Sequence, residues 1–133
     1  MRIDAYLFFP GNTREAMEFY QAAFGGELTV TTNGEVDPSA EGAERDHVID
    51  AALVGEDTRI RASDRADATP APQHRVAPSI VGLEDAELRA LFDQLGAGGS
   101  TVVALEKQFW GDTFGTLTDR FGISWQVNIE AKT

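Results

Sequence analysis

Phe109–Asn128, FWGDTFGTLTDRFGISWQVN, packs two Trp, three Phe and three Gly into twenty residues. Ile123–Val127 reads as an apolar strand and Phe114–Thr118 as the strand before it. Between them Asp119-Arg120-Phe121-Gly122 forms a tight turn, with Gly122 supplying the positive φ that such a turn needs. Aromatic residues crowded beside a hairpin either close a core or line a concave pocket.

Working back from this hairpin, the second half of the chain opens with a strand at Val76–Val81, where Pro78 implies an edge position or a bulge. Glu84, Asp85 and Glu87 mark a helix N-terminus, and Leu88, Leu91, Phe92 and Leu95 supply its apolar face. Gly96–Gly99 ends the helix, and Ser100–Leu105 is the next strand. The first half has the same order. Ile3–Phe9 is a strand broken by Pro10-Gly11. Asn12 fits a helix N-cap, with Glu15 completing a capping box. Ala16, Phe19, Tyr20, Ala23 and Phe24 recur at helical spacing, and Gly25-Gly26 ends the helix. Glu27–Thr32, His47–Val54 and Thr58–Ser63 follow as strands.

Asn33–Asp46 carries five acids and no periodicity, and reads as a mobile loop of the kind that lids a pocket. Arg65–His74, RADATPAPQH, reads as a linker between the halves. Phe19 and Phe92 stand 73 positions apart, as do Gly25-Gly26 and Gly98-Gly99. The expectation is therefore an α+β fold of two tandem βαβββ modules, residues 1–66 and 75–133, in one 1–133 domain. Each module alone buries little apolar surface, so two should pair as a curled mixed sheet around a concave cavity.

Composition narrows the function. Apolar residues make up 42% of the 133, and no apolar run approaches the ~18 residues of a membrane span. There is no cysteine, which excludes disulfides and thiolate metal sites. The N-terminus has no cleavage site after its short apolar run, so the expected setting is the cytoplasm. A formal charge of −11, from 22 acids and 11 bases, argues against nucleic acid and against anionic membranes. It suits solubility and a cationic ligand. No Gly-rich phosphate loop opens a helix, and no G-x-S-x-G elbow is present.

FFPGNTREAMEFYQAAFGGEL (8–28), RASD (61–64) and WGDTFGTLTDRFGISWQVN (110–128) together resemble the glyoxalase/bleomycin-resistance/extradiol-dioxygenase superfamily, the vicinal-oxygen-chelate (VOC) fold, and within it the PhnB-like branch. The resemblance covers nearly the whole chain. It implies a homodimer and, in metal-dependent members, a divalent cation held by His and carboxylate side chains. Carried onto this sequence, the ligand positions fall on Ala5, Asp50, Arg75 and Gln126. Ala5 has no donor and Arg75 is a cation, so no metal or other cofactor is expected. An Asp50–Arg75 ion pair should take the metal's place. Leu7 and Phe9 share the strand parity of Ala5 and are expected to line the cavity. Trp110 is expected to rim it, and Trp125 to lie in the core. The ligand-binding set is thus Leu7, Phe9, Asp50, Arg75, Trp110 and Gln126. The expected function is metal-free binding of a small molecule, either to sequester or to sense it. The alternatives are a divalent-metal-dependent lyase, isomerase or dioxygenase, and a non-catalytic structural homodimer.

Overall fold

A computed structural model describes residues 1–68 and 75–132. The chain forms two compact units, Met1–Pro70 and Ala71–Thr133. In the first, β1 (Ala5–Phe9) leads to α1 (Thr13–Phe24), then β2 (Glu27–Thr32), two short helices α2 (Asn33–Val36) and α3 (Ala43–Asp46), β3 (Val48–Val54) and β4 (Arg59–Asp64). In the second, β5 (Ser79–Gly82) leads to α4 (Asp85–Gly96), β6 (Ser100–Lys107), β7 (Thr113–Thr118) and β8 (Ser124–Ile129). The sheets have the same topology. Their orders are β1-β4-β3-β2 and β5-β8-β7-β6, with the first pair parallel and the others antiparallel. The α+β class and the duplicated βαβββ unit stand as read from the sequence.

The repeat is enforced by backbone packing. A side chain on Gly26 would meet the Val54 carbonyl oxygen at 2.8 Å, where β2 begins beside the end of β3. One on Gly99, 73 positions later, would overlap the Thr118 carbonyl oxygen at the end of β7. The second glycine of each pair is thus present because two backbones touch there. The first residues of α1 are held differently from what the sequence suggests. Asn12 is the N-cap residue of α1 but makes no side-chain cap bond, and its Oδ1 is buried without a partner. The Thr13 amide donates instead to Asp64 Oδ1 at 3.0 Å. A full carboxylate charge at a helix N-terminus outcompetes a neutral amide oxygen. The other oxygen, Asp64 Oδ2, accepts from the Val48 amide at 2.9 Å. One side chain therefore ties α1, β3 and β4 together. Asp64→Asn keeps one of these acceptors and should cost about 2 kcal/mol; a urea midpoint equal to wild type would show that the staple carries no stability.

Each helix covers one face of its own sheet. Thr13, Ala16, Met17 and Tyr20 are buried along α1, with Phe19, Ala23 and Phe24 at its edges. Leu88, Phe92 and Leu95 are buried along α4. Under α1 lie Ala51, Leu53, Ile60 and Ala62; Leu117, Trp125, Val127 and Ile129 form the buried face of β7 and β8. The closing hairpin turns at Gly122, where φ is 88°. Trp125 is a core residue, as expected, and its Nε1 donates to Asp119 Oδ2 at 2.8 Å.

Two segments depart from expectation. The acidic stretch expected to be an unstructured loop holds α2 and α3, and the Thr32 amide donates to Glu35 Oε2 at 3.0 Å. This T-x-x-E capping pattern is visible in the sequence but lies at the end of a strand, where no apolar periodicity follows it. The expected linker begins as a turn: the Arg65 amide donates to the Phe9 carbonyl and the Ala68 amide to the Arg65 carbonyl. Its remaining residues, 69–74, lie outside the described residues. Pro78 precedes β5 instead of lying within it, and its carbonyl accepts from the Gln126 amide.

Candidate functional site

The helix-free face of each sheet carries the polar and aromatic side chains that a site could use. In the first unit, register assigns every strand residue to a face. Tyr6 stands opposite Arg61 and Phe8 opposite Ser63, whereas Ala5, Leu7 and Phe9 stand opposite Ile60, Ala62 and Asp64. Phe9 is 1% exposed and its ring lies 6.4 Å from that of Tyr20 on α1, so the odd-numbered residues of β1 face the helix. Tyr6 and Phe8 face the other way, 39% and 43% exposed, with their ring centroids 5.2 Å apart.

Leu7 and Phe9 therefore belong to the helix side and not to the cavity lining assigned to them from the sequence. A one-residue difference in parity sends every side chain of a strand to the opposite face. Ala5 is misplaced for the same reason. Asp50 is on the open face, and the cation beside it is Arg61, where the sequence had put Arg75. Arg61 Nη2 donates to Asp50 Oδ1 at 2.8 Å and the Tyr6 hydroxyl donates to the same oxygen at 3.2 Å. The guanidinium carbon lies 5.6 Å from the Tyr6 ring centroid. The hydrogen bond that Arg61 donates to Asp50, and then the Asp50 charge, raise the Arg61 pKa above its ordinary value. Arg65, just past β4, lies over Phe8 at 4.7 Å and pairs with Asp67 through Nε at 2.6 Å and Nη2 at 3.3 Å.

In the second unit the helix-free face holds Ser79 and Val81 on β5, Phe114 and Thr116 on β7, and Gln126 and Asn128 on β8. Gln126 donates from Nε2 to Ser79 Oγ at 3.0 Å. Asn128 donates to Asp112 Oδ2 at 3.0 Å. Trp110 is 51% exposed, its ring 6.3 Å from that of Phe114 and 4.9 Å from that of Phe109. Arg75 is an exposed residue in the bend ahead of β5. The residues that sequence reasoning missed are Tyr6, Phe8, Arg59, Arg61 and Arg65. The alternation of β4, with Arg59 and Arg61 outward and Ile60 and Ala62 inward, was the signal that could have found them.

These side chains do not fit a divalent cation. The best donor on the open face of the first unit, Asp50, is already bound to a guanidinium, and nearby Asp4 is paired with Arg2. A metal there would share Asp50 with Arg61 and sit beside its positive charge. In the second unit Gln126, Ser79 and Asn128 are neutral. No three His, Cys, Asp or Glu side chains converge among the described residues.

Comparison with known proteins places this geometry in context. Residues 2–127 match the family model described as Glyoxalase/Bleomycin resistance protein/Dioxygenase superfamily. Protein YjdN of Escherichia coli (strain K12) is 30% identical, over 97% of this chain and 95% of its own. The crystal structure of protein PA1353 from Pseudomonas aeruginosa superimposes with a TM-score of 0.83 at 33% identity, covering 99% of both chains. A PhnB protein from Bacillus cereus shares the fold, with a TM-score of 0.76 at 24% identity over 98% of this chain and all of its own. The chain belongs to the glyoxalase/bleomycin resistance protein/dioxygenase superfamily.

Proposed function

We propose that this protein binds a small molecule without a metal, on the helix-free sheet faces, and so sequesters or senses it. The observation that carries the reading is the Asp50–Arg61 pair under the Tyr6 hydroxyl. Asp50 is the one strong donor among the positions that the resemblance assigns to a metal, and a guanidinium already holds it. A protonated guanidinium cannot ligate, and it repels a second cation. What remains on the open faces are half-exposed aromatic rings with polar groups between them, which is the chemistry of an organic-ligand site.

The test has two arms. Protein purified without chelator should carry only substoichiometric Mn, Fe, Ni and Zn by elemental analysis. The same protein should gain thermal stability with a ligand from a screen of small aromatic compounds, since ligand at a hundred times its Kd adds about 2.7 kcal/mol. One tightly held metal per chain, retained through dialysis, would refute the proposal in favour of a metal-dependent enzyme.

A further inference from the structure

The arginines of this acidic chain are unevenly placed. Of eleven Lys and Arg, three fall in the seven residues Arg59–Arg65, at positions 59, 61 and 65. Strand alternation puts Arg59 and Arg61 on the helix-free face of β4, with Ser63 next in the row. Arg65 continues it, because its guanidinium lies over Phe8, which belongs to that face. β1 runs alongside with Tyr6 and Phe8. The result is a row of guanidinium groups flanked by two rings, with Arg61 over one at 5.6 Å and Arg65 over the other at 4.7 Å.

The acids nearby are Asp4, Asp50 and Asp67, paired with Arg2, Arg61 and Arg65 respectively, together with Glu27 on the same face of β2 and Glu56 and Asp57 in the turn before β4. Arg59 has no ion pair among the described residues. Asp50 engages Arg61 through Nη2, and the Arg61 side chain is 45% exposed. An arginine whose guanidinium already lies over an aromatic ring loses less freedom when it binds, and its fork matches a carboxylate. The net charge of −11 does not oppose this at contact range, because charges beyond about 8 Å are screened at physiological ionic strength.

We infer that the Arg59/Arg61 row beside Tyr6 and Phe8 is a binding site for a planar aromatic carboxylate. Its ring stacks on the exposed faces of Tyr6 and Phe8, and its carboxylate takes the outward edges of Arg59 and Arg61. This rests on the small-molecule-binding reading above and reverses the cationic ligand that net charge alone suggests.

The experiment titrates the full chain with three probes of one shape: 2-naphthoate, 2-naphthalenemethanol and protonated 2-naphthylmethylamine. Binding is followed by calorimetry and by amide chemical shifts. Naphthoate should bind about tenfold more tightly than either of the others and should shift the amides of β1 and β4. Arg59→Gln should weaken it about tenfold, and so should the double variant Arg61→Gln/Asp50→Asn, which removes the ion pair together and strands no carboxylate. Arg89→Gln, at an exposed pair on α4, should leave it unchanged. Naphthoate affinity that survives Arg59→Gln and the double variant overturns the inference. So does tighter binding of the alcohol or the amine, although small-molecule binding then stands. If none of the three binds, the inference fails, and the metal analysis and wider screen above decide the reading beneath it.

Discussion

Replacing Asp119 with alanine is expected to destabilise the protein by about 4 kcal/mol, a large share of the roughly 5–15 kcal/mol that holds a domain of this size folded. Asp119 is 3% exposed. Its Oδ1 accepts from the amides of Phe121 at 2.9 Å and Ile123 at 3.0 Å, which shapes the turn before β8. Its Oδ2 accepts from the indole of Trp125 at 2.8 Å. Alanine removes the acceptor of three hydrogen bonds, one of them from a buried tryptophan. Asn should lose less, because one carbonyl oxygen can still serve the turn amides. Chemical denaturation followed by tryptophan fluorescence reads both variants. Equal midpoints for wild type and Asp119→Ala would mean that the turn holds its shape without the carboxylate.

Gly99→Ala is the second large effect, about 3 kcal/mol or more. The added methyl would overlap the Thr118 carbonyl oxygen and come within 2.8 Å of the Asp119 carbonyl carbon and 2.9 Å of its Cα. Neither backbone can yield easily. Thr118 pairs with both Ser100 and Ser124, and Asp119 is held by the hydrogen bonds just described. Gly26→Ala, the equivalent in the first unit, meets Val54 backbone atoms at 2.8 and 3.1 Å and also strains a φ of 92°. By contrast, Gly11→Ala meets no atom within 4 Å, and its only penalty is that of a positive φ. Urea titrations should therefore rank Gly99→Ala above Gly11→Ala; the reverse order would remove backbone contact as the reason for the repeated glycine.

Much of the fold was legible in the residues. The 73-residue step from Gly26 to Gly99 marks a contact that only glycine permits, and it recurs because the same unit is built twice. The helical spacing of Ala16 and Tyr20, and of Leu88, Phe92 and Leu95, names buried residues correctly. Gly122 marks the turn. These features are legible because each depends on neighbours a few positions away, or on a rule about backbone that any fold must obey.

The site was legible only in part. Asp50 and Gln126 were placed on the open faces, but Leu7 and Phe9 were turned the wrong way. On β1 both parities are apolar or aromatic, so periodicity along that strand cannot say which set meets the helix. β4 does alternate, and its parallel pairing with β1 sets Tyr6 across from Arg61, but strand pairing is a long-range fact. Asp64 and Asp119 show the same boundary. Each reads as one more acid among 22, and each proves to be a staple between segments. By itself the sequence determined the duplicated α+β unit, its helices and turns, and the family it resembles. Tertiary structure alone decided which faces are open and which charges meet, because a side chain's face and partners depend on strands and helices distant in the chain.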